Sequence, residues 1–119
     1  MIPTPLTTVP LHLNLYSRVT STLSLDVIFD DFGLIYYCMK QAGLSSWINR
    51  KSQATQGKQI TAAELVPGDT VYIYDKRYYL VGALIYYGNS IYIYTYQKVK
   101  SGKINFNPDF HYDYRRNWE

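Results

Sequence analysis

Cysteine is almost missing from this chain. Cys38 stands alone, which excludes an internal disulfide and a cysteine-built zinc site. Histidine is nearly as scarce: His12 and His111 lie far apart and show no helical metal-ligand spacing, so no metal and no cofactor is expected. Strong charge is also lacking, with 12 Lys and Arg against 9 Asp and Glu, a net of +3. Lys98, Lys100, Lys103, Arg115 and Arg116 are scattered, whereas a nucleic-acid binder shows a denser basic stripe, so nucleic acid is not an expected partner. No apolar run is long enough for a transmembrane helix. Residues 1–15 hold Pro3, Pro5 and Pro10, no basic start and no unbroken apolar core, which is not a signal-peptide pattern. The chain as given therefore reads as non-secreted, either cytoplasmic or exported by a route its sequence does not display. No internal repeat is visible.

What the chain does have is tyrosine, 14 in 119 residues. Tyrosine favours strands and half-wet surfaces, because its ring is apolar and its hydroxyl needs a partner. The length fits one domain with a real core. Residues 1–15 read as an extended N-terminal arm, and 16–29 are ambiguous, with Leu23, Leu25, Val27 and Phe29 alternating like a strand. A helix is expected over 30–43. Asp30 or Asp31 can cap its free amides, Ile35, Cys38, Met39 and Ala42 make one apolar face behind Phe32, and Gly43 ends it. Residues 44–59 read as a polar loop anchored by Trp47, and "TAAEL" (61–65) as a short helical turn.

From Thr70 the period changes to two. "TVYIY", "YYLVGALIYY" and "SIYIYTYQKV" read as strands, with Gly88-Asn89 as a hairpin turn and "KINF" as a last strand. The class is α+β, an antiparallel β-meander or small open barrel over 70–106 packed against one main helix in the N-terminal half. Residues 107–119 read as an aromatic and basic tail.

Three stretches occur in a familiar order: "DDFGLIYYCMKQAG", "GKQITAAELVPGDTVYIY" and "VGALIYYGN". Together they cover roughly residues 30–96 and resemble the NlpC/P60 superfamily of papain-like cell-wall peptidases. In that family the first stretch reads Asp-Cys-Ser-Gly-Leu, and the cysteine at the helix start is activated by the dipole and exposed amides. A histidine on the central strand acts as base, and a polar residue on the next strand orients it. Mapped by resemblance, Asp30, Gly33 and Leu34 match, but Asp31 stands in the cysteine position and Phe32 in the serine position. Gly82 stands in the histidine position, and the third position falls near Tyr94. The aromatic, glycine-paired segment ahead of the cysteine is missing from residues 16–29.

The resemblance thus implies a pseudoenzyme, a binding, scaffolding or regulatory module for a protein or a peptidoglycan-like peptide. Two other readings stand beside it: a hydrolase using Cys38 with His111, and an unrelated tyrosine-rich β-domain for assembly. On its helical face Cys38 reads as a small buried hydrophobe, and Asp30 and Asp31 read as caps. Tyr72, Tyr74, Tyr92, Tyr94 and Tyr96, together with members of Tyr78, Tyr79, Tyr86 and Tyr87, could line one sheet face as a binding surface, with Trp47, Arg115 and Arg116 adding interface-like character. A face or edge so rich in tyrosine also leaves room for self-association.

Overall fold

A computed structural model describes residues 30–96 and 98–118. The arm at 1–15 and the strand-like segment at 16–29 lie outside the described residues. The main helix, α1, runs Asp31–Gln41. Its cap is Asp30, in extended conformation, whose carboxylate accepts the Gly33 N–H at 2.6 Å. At the other end Gly43 takes φ +80, where a Cβ would be strained, and its N–H donates to the Lys40 carbonyl. The Leu44 N–H reaches the Met39 carbonyl at 2.9 Å, closing a Schellman motif. The expected helix is thus its capped core plus both caps. Phe32, Leu34, Ile35, Cys38 and Met39 are its buried face.

The loop expected over 44–59 holds two further elements. Asn49 accepts the Ser52 N–H at 3.1 Å and starts a one-turn helix, α2 (Arg50–Ala54). A helix this short has no hydrophobic period to read. A three-residue strand, β1 (Lys58–Ile60), follows. Trp47 is no anchor: its side chain is 55% exposed, and its carbonyl is what the core uses. The expected turn at 61–65 is a 3₁₀ turn over Ala62–Glu64, held by a reciprocal Thr61–Glu64 capping box.

The sheet is open, antiparallel and six-stranded. After β1 come β2 (Thr70–Tyr74), β3 (Leu80–Gly88), β4 (Ile91–Tyr96), β5 (Lys98–Gly102) and β6 (His111–Arg116), in spatial order β1-β6-β2-β3-β4-β5. Only β2 to β5 form a meander. The supposed tail enters the sheet as β6, between β1 and β2, pairing Lys58 with Arg116 and Thr70 with Arg115. The sheet therefore reaches from 58 to 116 rather than from 70 to 106. "KINF" forms no strand, because β5 has already paired with β4 from Lys98.

Pairing also divides the tyrosines. Tyr72 faces Ala83, Ile85 faces Ile93 and Tyr86 faces Tyr92. Side chains alternate along each strand, so Tyr72 joins Ala83, Ile85 and Ile93 under α1, with Tyr74 packed against that cluster. Tyr92, by contrast, joins Val71 and Leu84 on the other face, against Tyr86, Tyr94, Tyr112 and Tyr114. The five tyrosines expected on one face are split, and the side chain of Tyr96 lies outside the description.

A buried ion pair ties β6 to the Pro-Gly-Asp turn. The Asp69 carboxylate, with no exposed side-chain area, accepts Arg116 Nε at 3.1 Å and Nη2 at 3.0 Å. The Val66 N–H donates to it at 2.8 Å, and Arg116 also donates to the Glu64 carbonyl. Removing one partner strands the other charge. Arg116→Ala should lower the unfolding free energy by about 3 kcal/mol in urea titration; a loss under about 1 kcal/mol would contradict this role.

Candidate functional site

The N-terminus of α1 points at the place where β3 and β4 part. Their ladder runs from Gly88 opposite Ile91 to Ile85 opposite Ile93. Two residues further, the same register would set Ala83 against Thr95, but no pairing is formed there. The Asp31 carboxylate fills that gap. One oxygen accepts the Ala83 N–H at 3.1 Å and the other accepts the Thr95 hydroxyl at 2.5 Å. Gly82 makes the approach possible: a Cβ there would lie 3.1 Å from Asp31 Oδ2. The two positions paired by resemblance, Asp31 and Gly82, are therefore neighbours.

Near the third position, neighbouring residues face opposite ways. Tyr94 faces away from α1, while Thr95 meets Asp31. A shift of one residue turns a strand position to the opposite face. The alternation of Ile91, Ile93 and Thr95 was the available signal, since Ile93 lies under α1.

Cys38 sits about two turns into α1, has no exposed surface, and lies among Ile35, Met39 and the sheet. Burial pushes its thiol up to about 12, so little thiolate forms near neutral pH. The His111 ring stacks on Tyr78 at 3.8 Å between centroids, and no hydrogen bond joins it to Cys38 among the described residues. Asp30 is engaged as the cap and lies 3.7 Å from Arg50, which rests over the Phe32 ring. No group of three His, Cys, Asp or Glu side chains among the described residues could hold a metal.

The remaining expected binding residues do not converge. Tyr72 is core, its hydroxyl pushed well above the usual phenol range by burial. Tyr92 is buried, and Tyr74 and Tyr94 are half-buried on opposite faces. Arg115 pairs with Asp113 at 2.8 Å and Arg116 with Asp69, so both guanidiniums are already in use within the fold. The most exposed aromatics among the described residues are Tyr78 and Tyr79, 66% and 64% exposed, in the β2–β3 turn. Asp75 shapes that turn by accepting the Arg77 and Tyr79 N–H groups, and Tyr78 takes φ +64. Beside it, Tyr74, Tyr78, Tyr79, Leu80, Lys51 and Thr55 line an open cavity of about 620 Å³.

No protein-family model matches the chain, and no curated protein matches it. Solved structures do. RipD from Mycobacterium tuberculosis superposes with a TM-score of 0.75 at 15% identity, covering 92% of this chain and 98% of that one. The chain has the NlpC/P60 fold. A P60 domain from a Mycobacterium avium paratuberculosis antigen gives 0.73 at 15% identity over 89% and 92% of the two chains. An NlpC/P60 family protein from Bacillus cereus gives 0.78 at 17% identity over 94% of this chain and 42% of its own. RipD is described as a non-catalytic NlpC/P60 domain protein adapted to peptidoglycan binding.

In this NlpC/P60 frame, Asp31→Cys would set a thiol at a helix start, and Gly82→His an imidazole against it. The double variant should alkylate with iodoacetamide at mildly acidic pH about tenfold faster than Asp31→Cys alone, because a neighbouring imidazolium favours thiolate. The unmutated protein, with Cys38 in the core, should stay unmodified until unfolded. Equal rates in the two variants, or rapid labelling of native Cys38, would contradict the geometry.

Proposed function

We propose that this protein is a non-catalytic NlpC/P60-like domain that works as a binding module. The Asp31 carboxylate carries the reading. It occupies the helix start that the resemblance assigns to a nucleophile, and both of its oxygens accept hydrogen bonds from the sheet. A carboxylate so held is a poor nucleophile toward an amide. Gly82 can neither take nor give a proton, and the Thr95 hydroxyl is spent on Asp31. Loss of a whole triad leaves only binding effects.

The partner we infer is a cell-wall peptide or a protein carrying a similar extended segment. RipD supports this, as a non-catalytic protein of the same fold and similar length. The surface we assign is the cavity beside Tyr78 and Tyr79, close in sequence to Gly82 and open to solvent. Tyrosine gives contact area at small entropic cost, and Lys51 supplies a cation for a peptide carboxylate.

Purified peptidoglycan sacculi, incubated with the protein and pelleted, test both halves. The protein should sediment with the sacculi and release no soluble fragments. Tyr78→Ala combined with Tyr79→Ala should cut the bound fraction about tenfold, as loss of aromatic anchors does. Fragments released by the protein, whether or not Asp31→Ala still releases them, would overturn the non-catalytic reading. Unchanged sedimentation of the tyrosine variant would overturn the surface.

A further inference from the structure

The positive charge of the chain is gathered in one stretch. Between Phe32 and Ala63 lie Lys40, Arg50, Lys51 and Lys58, and no aspartate or glutamate. The rest of the chain carries 8 Lys and Arg against 9 Asp and Glu, so the net of +3 comes from this stretch. Lys40 stands in the last turn of α1, Arg50 and Lys51 open α2, and all three are exposed. Arg50 lies 3.7 Å from Asp30, whereas Lys40 and Lys51 enter no ion pair among the described residues.

The same stretch exposes two large apolar side chains side by side. Trp47 and Ile48, in the loop between α1 and α2, are 55% and 66% exposed. Neither lines the cavity beside Tyr78 and Tyr79. The backbone beneath them is braced. Gln53 is fully buried, and its Nε2 donates to the Trp47 and Phe32 carbonyls at 3.0 Å each. Asn49 accepts the Ser52 N–H and fixes the start of α2. The fold thus holds the Trp47 carbonyl inward and leaves its ring, with the Ile48 side chain, in solvent. Burial of either side chain would stabilise the fold, and here that stabilisation is forgone. Adjacent exposed apolar groups on a braced loop have the character of a contact surface.

We propose that this loop docks the protein on an anionic lipid bilayer. Trp47 and Ile48 enter the headgroup boundary, and Lys40, Arg50 and Lys51 meet the lipid phosphates. Tryptophan suits that boundary because its ring is apolar while its indole N–H still reaches a polar acceptor. A bilayer deforms around a projecting pair and needs no matching pocket. The local charge selects the lipid: each cation near an anionic surface strengthens binding about fivefold, whereas a small apolar insertion alone holds weakly. The contact is peripheral, since no helix among the described residues is long and apolar enough to cross a membrane. It does not rest on the proposed peptidoglycan binding, whose surface is the cavity beside Tyr78 and Tyr79.

Co-sedimentation of the full chain with sucrose-loaded vesicles tests this, using phosphatidylcholine alone and an equal mixture of phosphatidylcholine and phosphatidylglycerol. The protein should pellet with the mixed vesicles at low ionic strength, with a blue shift of its tryptophan emission, and should be released by high salt. It should not pellet with phosphatidylcholine alone. Trp47→Ser combined with Ile48→Ser should weaken binding about tenfold and abolish the blue shift. Both positions are exposed, so the unfolding transition of this variant should stay where it is. Lys40→Gln combined with Lys51→Gln should weaken binding by at least about tenfold. No pelleting with mixed vesicles, equal pelleting with both lipids, or unchanged binding in the Trp47–Ile48 variant would overturn the proposal. Dimerisation in sedimentation velocity, lost in that variant and without vesicle binding, would also overturn it and give the patch to a second copy of the chain.

Discussion

The Asp31 carboxylate joins three elements at one point. It begins α1, and it bridges β3 and β4 where their ladder stops. An ionised acceptor makes shorter and stronger hydrogen bonds than a neutral one, each contributing about 1.5–3 kcal/mol. The helix dipole adds to this, because the first-turn amides favour an anion. The bridge in turn constrains Gly82, since even a methyl group there would crowd the carboxylate. Asp31, Gly82 and Thr95 are one structural unit, and the acidic side chain fastens the helix to the sheet.

A second network starts from the Phe32 carbonyl, in the first turn of α1. There the Gln53–Tyr72–Asn117 relay passes one direction of hydrogen bonding from α2 through β2 to the end of β6. The Asp69–Arg116 pair clamps β6 to the turn before β2. Both depend on β6 lying between β1 and β2. Residues 111–118 are thus built into the fold rather than trailing from it.

The sequence revealed α1 because its apolar spacing, acidic cap and C-terminal glycine all agree. The β3–β4 hairpin was also legible, although the two-residue turn is Asn89-Ser90, both at positive φ, just past the Gly88-Asn89 pair. Strand β6 was not legible. "HYDYRR" alternates aromatic and charged residues, a pattern that suits an exposed tail as well as a strand whose arginines pair with the buried Asp69 and the half-buried Asp113. Nor could alternation within single strands reveal that Tyr72 and Tyr92 lie on opposite faces, because that follows from cross-strand register. At the site, Asp31 and Gly82 were named from the order of motifs, whereas the bond from Thr95 to Asp31 depends on cross-strand register. The relay through Gln53 and Asn117 joins residues 64 positions apart, a separation that local pattern does not bridge.

The bridge itself is most directly tested by a double-mutant cycle. Asp31→Ala, Thr95→Val and the pair together would be unfolded in urea beside the unmutated protein. A carboxylate–hydroxyl bond that fastens α1 to β4 predicts a coupling energy of about 1–2 kcal/mol. Additive effects, with coupling below about 0.3 kcal/mol, would contradict the claim that Asp31 fastens α1 to β4.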